Sequence, residues 1–89
     1  MRSVLEVVLH RRALRYLQRL PRSERERVRE ALDRLASGMA SYPGVVQMAG
    51  EWAGYQRIRI GDLRVIFWYV EGEETLYVDH IGPRGDVYK

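Results

Sequence analysis

Cysteine is absent from this 89-residue chain, lysine occurs once, and histidine twice. Without cysteine there are no disulfides, no thiolate nucleophile and no sulfur ligand, a composition that suits the cytoplasm. His10 and His80 stand far apart with no ligand spacing around either, so no metal and no cofactor is expected. No apolar run is long enough to span a bilayer, which argues against a membrane partner. The opening MRSVLEVVLHRR holds too short an apolar stretch for a signal peptide and reads instead as a first strand.

What the chain does have is arginine. Fourteen of its fifteen basic residues are arginine, the exception being Lys89. The net charge of +3 and pI near 9.6 are moderate, so the kind of cation says more than the total. A guanidinium stays protonated and offers a planar fork of donors that fits phosphate. An arginine-rich genome accounts for the bias equally well, and net charge alone supports a nucleic-acid partner only weakly. The length fits one domain, residues 1–89, and the apolar fraction of 46% is that of an ordinary globular core.

The stretch Tyr55 to Val70, YQRIRIGDLRVIFWYV, organises the rest. Gly61-Asp62 between two alternating runs predicts a hairpin with a type II′ turn. Gln56, Ile58 and Ile60 share one face with Leu63, Val65, Phe67 and Tyr69 across the turn. If that set faces a core, Arg57, Arg59 and Arg64 emerge together on the other side.

Val4 to Leu9 alternates as a strand, and helical spacing begins at Arg11, with Ala13, Leu17 and Leu20 on one stripe. Pro21 closes that helix. Ser23 and Glu26 predict a capping box for a second helix, whose stripe is Val28, Ala31, Leu32 and Leu35. Gly38 is expected in the left-handed position after it. Val45 to Met48 reads as a short extended piece, and Thr75 to Ile81 as a strand. A tight loop, Gly82 to Gly85, then leads into an extended tail. The expected fold is therefore α+β: an N-terminal strand, a helical hairpin, then antiparallel strands, with the helices packed on one face of the sheet.

Chemistry centres on Arg57, Arg59 and Arg64, joined by Arg84 in the loop and Tyr88 in the tail. Cutting RNA without a metal needs cations on the phosphate and groups that move protons to and from the reacting oxygens. Arginine meets the first need and is a poor proton shuttle; a tyrosine among arginines can serve the second. On period alone, a solvated arginine face with Tyr88 packing the sheet end is the simpler reading. Strict alternation puts His80 with Leu76 and Val78, facing the core.

The hairpin, followed by HIGPRGDVYK, resembles the RelE type of bacterial and archaeal toxin within the RelE/ParE superfamily, and the layout of the first half agrees. The resemblance implies a toxin of a type II toxin–antitoxin system, a ribosome-dependent mRNA endonuclease (mRNA interferase). Such an enzyme inhibits translation by activating a 2′-hydroxyl against the adjacent phosphodiester, without a metal. Its partners would be the ribosome, messenger RNA and a cognate antitoxin, with a heterotetramer as one allowed assembly. By position, Arg57 and Arg59 match the basic pair before the turn, Arg64 the arginine after it, and Arg84 the loop arginine. Tyr88 matches the tail tyrosine that stacks on the base and aids catalysis. Pro83 stands where many relatives carry histidine or lysine, and an arginine pair stands where some carry lysines, which leaves the general base open. A ParE-like DNA gyrase inhibitor and a degenerate, non-catalytic homologue share the fold and are the alternatives.

Overall fold

The computed structural model describes residues 5–38, 42–70 and 72–83. Its first strand, β1, spans Glu6–Leu9 and leads through His10 into helix α1, Arg11–Arg19. His10 caps this helix: its Nδ1 accepts the backbone N–H of Arg12 at 3.1 Å. Leu20 is already extended, as the residue before a proline prefers, so α1 stops there.

Helix α2, Arg22–Ser37, begins directly after Pro21. The capping box at Ser23 and Glu26 does not form. Pro21 occupies the cap position with an extended backbone, and its carbonyl accepts the N–H of Arg25 at 2.9 Å. Ser23 is thereby drawn inside the helix, and Glu26 pairs with Arg22 instead, at 3.2 Å. Gly38 is not left-handed either: its φ of −168° is extended, and its N–H still reaches the carbonyls of Arg34 and Leu35.

Four more strands follow: β2 (Val46–Gln47), β3 (Gln56–Ile60), β4 (Leu63–Val70) and β5 (Thr75–Pro83). A single 3₁₀ turn, Gly50–Trp52, lies between β2 and β3. The sheet order is β1-β5-β4-β3-β2, antiparallel except where β1 runs parallel to β5. Gly61 opens the β3–β4 turn at φ +60° while Asp62 stays out of the positive-φ region, as a type II′ turn requires.

Both helices lie on one face of the sheet. Ala13, Val28, Leu32 and Leu35 meet Ile58, Val65, Phe67, Leu76, Val78 and Ile81 in one apolar cluster. Phe67 at its centre is fully buried, a contribution of roughly 1.5–3 kcal/mol from that side chain. This is the expected α+β arrangement. It leaves the opposite face of the sheet without a helical cover.

Candidate nucleic-acid interface

The register of the ladders sorts that helix-free face into three rows. Arg59 and Arg64 are direct cross-strand partners, and Arg64 in turn faces Gly82 on β5. Two residues along β4, ~7 Å away, Arg57 faces Ile66 and Ile66 faces His80. Another step on, Trp68 faces Tyr77 and Tyr77 faces Val8. The face thus grades from basic through mixed to aromatic.

The basic row is unusual in its burial. Arg64 is only 4% exposed although it carries a charge, while Arg59 beside it is exposed. Like charges directly opposite on a ladder repel each other. Arg57 adds a buried Nε–H with no hydrogen-bond partner among the described residues. A buried N–H that lacks an acceptor is costly, and an incoming phosphate oxygen would supply one. Arg57, Arg59 and Arg64 are therefore brought together. Arg84 and Tyr88 lie outside the described residues.

His80 is where the structure departs from strict alternation. Phe67 pairs with Val78 while Ile66 pairs with His80, so Asp79 is an extra residue, a β-bulge. The bulge resets the period and turns His80 away from the core onto the arginine face. Its ring lies against Gly82: a Cβ built on that glycine would come within 3.0 Å of His80 Nε2. Ile66 beneath is fully buried yet stands outside the helix-side cluster, which confirms that this face has a small packed layer of its own. The signal was present in the sequence, since the apolar steps of β5 run Leu76, Val78, Ile81, a shift by one that only a looped-out residue absorbs.

Arg12 holds the bulge. Its Nη2 meets Asp79 Oδ2 at 2.7 Å and its Nε donates to the Asp79 carbonyl at 3.2 Å. In the aromatic row, Trp68 and Tyr77 stack with centroids 4.3 Å apart and planes 15° from parallel, and Trp52 meets Tyr55 edge-on at 5.0 Å. The Tyr77 hydroxyl donates to Glu73 Oε1 at 3.0 Å. That bond to a carboxylate, with desolvation and the Glu73 charge behind it, pushes the Tyr77 phenol above its ordinary value of 10.0.

Across the molecule, a groove of about 620 Å³ runs between β1 and the helices. Leu9, Leu14, Leu17 and Leu32 line it, with Arg22, Arg25 and Arg29 and the carboxylates of Glu26 and Asp33 also at its wall.

A family model described as ParE toxin of type II toxin-antitoxin system, parDE, matches residues 7–88. The chain belongs to this toxin family. Among solved structures, the toxin–antitoxin complex RelBE2 from Mycobacterium tuberculosis is similar at a TM-score of 0.80 and 20% identity, covering 92% of this chain and 100% of that one. The archaeal RelE–RelB complex from Pyrococcus horikoshii gives 0.79 at 26% identity, covering 94% and 99%. The intact RelBE complex from E. coli gives 0.72 at 13%, covering 91% and 96%. No curated protein matches the sequence. The RelE/ParE toxin fold therefore holds over more than nine-tenths of the chain, and the rows on the helix-free sheet face are features of a toxin of that superfamily.

Proposed function

We propose that this toxin is a ribosome-dependent mRNA endonuclease, the reading carried by the convergence of Arg57, Arg59, Arg64 and His80 on one sheet face. The arginines bind the phosphodiester to be cut and neutralise the charge that accumulates on its oxygens in the transition state. The 2′-hydroxyl gives up its proton, its oxygen bonds to phosphorus, and the bond to the 5′ oxygen breaks. That oxygen takes a proton, leaving a 2′,3′-cyclic phosphate and a 5′-hydroxyl. An imidazole is suited to either proton transfer near neutral pH, which fills the role that arginine serves badly. Arg84 and Tyr88 are proposed to add a phosphate contact and a stacking surface. The protein partner is a cognate antitoxin, as in the RelB complexes of the similar structures. The acidic residues of an antitoxin segment would suit the basic face, and its apolar stripe the leucine-lined groove.

The family model that matches is named for ParE, and this favours gyrase inhibition as the second reading. Cleavage mapping of a translated message separates the two. New 3′ ends inside ribosome-bound codons, each with a cyclic phosphate, support the nuclease. Intact messages together with inhibited supercoiling by gyrase would replace it with the binding toxin.

A further inference from the structure

Beside the arginine rows lies a hollow that phosphate binding does not explain. It holds about 280 Å³ and is lined by Val8, His10, Tyr55, Trp68, Tyr77 and Asp79. Its floor is the aromatic row: Trp68, Tyr77 and Val8 follow one another across β4, β5 and β1 at one level of the sheet, and Tyr55, just before β3, lines the same hollow. The stacked Trp68–Tyr77 pair offers flat π surface, and Val8 is 39% exposed next to it. His10 leaves a polar edge free on this lining. Asp79 is taken by Arg12, whereas His10 spends Nδ1 on the helix cap, which assigns the proton of the neutral ring to Nε2.

Resting on the nuclease reading, we infer that this hollow is a subsite for one purine base of single-stranded RNA, the base next to the phosphate held by Arg57. Two observations and the size of a purine select that occupant. The hollow is continuous with the phosphate-binding rows, since Trp68 is two residues along β4 from the partner of Arg57, ~7 Å and within reach of one nucleotide. Its lining is almost wholly aromatic and apolar, which suits a base's π-face and not a phosphate. A two-ring base covers an indole more fully than a pyrimidine does, and purine ring nitrogens can accept from His10 Nε2. A stacked base on such a platform is worth a roughly 5- to 150-fold gain in affinity. The row therefore acts in base preference, while the arginines act alike on every sequence.

The test uses the full chain carrying Trp52→Phe, which keeps a ring against Tyr55 and leaves Trp68 as the sole indole. Its fluorescence is titrated with a five-nucleotide oligoadenylate and with an abasic sugar-phosphate strand of the same length and charge. The expected result is quenching by oligoadenylate at least about fivefold tighter than any abasic binding, lost in Tyr77→Leu. In mapped cleavage of translated messages, the folded Tyr77→Leu protein should show a flattened purine preference. Equal binding of both strands without quenching, no binding of either, or quenching only by the antitoxin would overturn the subsite. The outcomes also separate it from the nuclease reading. Cleavage without quenching removes the subsite alone, and quenching by a protein that cuts no message removes the nuclease alone.

Discussion

Arg12 clamps Asp79 through both its side chain and its backbone carbonyl, at 2.7 and 3.2 Å, from the first turn of a helix to the bulge of a strand. The clamp fixes the residue whose insertion turns His80 outward, so Arg12 is a positioning residue for a group it does not touch. Arg12 is 55% exposed and Asp79 13%, so the ion pair itself adds at most about 1 kcal/mol to stability. Arg12→Ala should leave the domain folded yet slow message cleavage by roughly ten- to a hundredfold, the scale of a misplaced reacting group. Arg12→Lys should recover only part of the rate, because an ammonium cannot serve both acceptors with the same fork. A rate loss no greater than the loss of folded protein, followed by circular dichroism, would reduce the clamp to a structural tie.

His80 should carry one of the two proton transfers of cleavage. His80→Gln should lower the rate by roughly 10²- to 10⁴-fold and change how it depends on pH. Gly82→Ala tests the same group from the opposite side. Its added methyl meets Nε2 at 3.0 Å, so the ring must shift while the strand need not. The expected outcome is slower cleavage with a melting temperature within about 4–8 °C of wild type, the shift that 1 kcal/mol brings in a domain of this size. An unchanged pH profile in both variants would take His80 out of the mechanism.

Much of this was legible in the sequence, and what was not has a physical reason. The hairpin could be read because its alternation is unbroken from Tyr55 to Val70 and Gly61-Asp62 suits only a narrow class of turn. Arg57, Arg59 and Arg64 followed from the same period. His80 did not, because a bulge leaves no residue signature of its own and reveals itself only as a slipped apolar step between Val78 and Ile81. Ser23 misled for a different reason: Pro21 already supplies an extended entry, so the helix starts before the serine can cap it. The parallel pairing of β1 with β5 is a matter of topology, which alternation within one strand cannot express.

Arg64 differs from its neighbours in being 4% exposed, and that predicts a different response to truncation. Arg64→Ala should cut message cleavage by two to three orders of magnitude, matching the roughly 2.7–4 kcal/mol lost with one preorganised donor. Arg59→Ala, at an exposed position, should cost less. Single-turnover cleavage on ribosomes, with folding checked by thermal melts, ranks the two. Arrest of growth that persists unchanged in Arg64→Ala would favour a toxin that binds without cutting.

The phenol of Tyr77 should titrate above 10.0 because its hydroxyl donates to the Glu73 carboxylate and loses that bond on ionising. The folded state thus holds this proton more tightly than the unfolded chain does. Its stabilising effect is fully present below pH 10.0 and is lost as pH rises through the folded midpoint. Glu73→Gln should lower that midpoint and reduce the high-pH sensitivity of the Trp68–Tyr77 stack. Ultraviolet difference titration of the phenolate, with Tyr77→Phe to identify the band, measures both. A midpoint that Glu73→Gln leaves in place would mean the carboxylate does not govern this ring.

An antitoxin that neutralises the basic face should bind through two terms that respond differently to salt. Contacts to Arg57, Arg59 and Arg64 are electrostatic and weaken as the Debye length falls from ≈ 10 Å at 0.1 M to ≈ 3 Å at 1 M. Apolar contacts in the groove lined by Leu14, Leu17 and Leu32 persist or strengthen under the same change. Affinity should therefore fall with added salt and level off at a residual value, and Leu17→Ala should lower that residual. A segment that orders only on the toxin would also show a large negative heat-capacity change on binding. Calorimetry from low to high salt reads all three. Affinity independent of salt would remove the arginine face from the interface, and ribosomal cleavage by the antitoxin-bound toxin would refute neutralisation altogether.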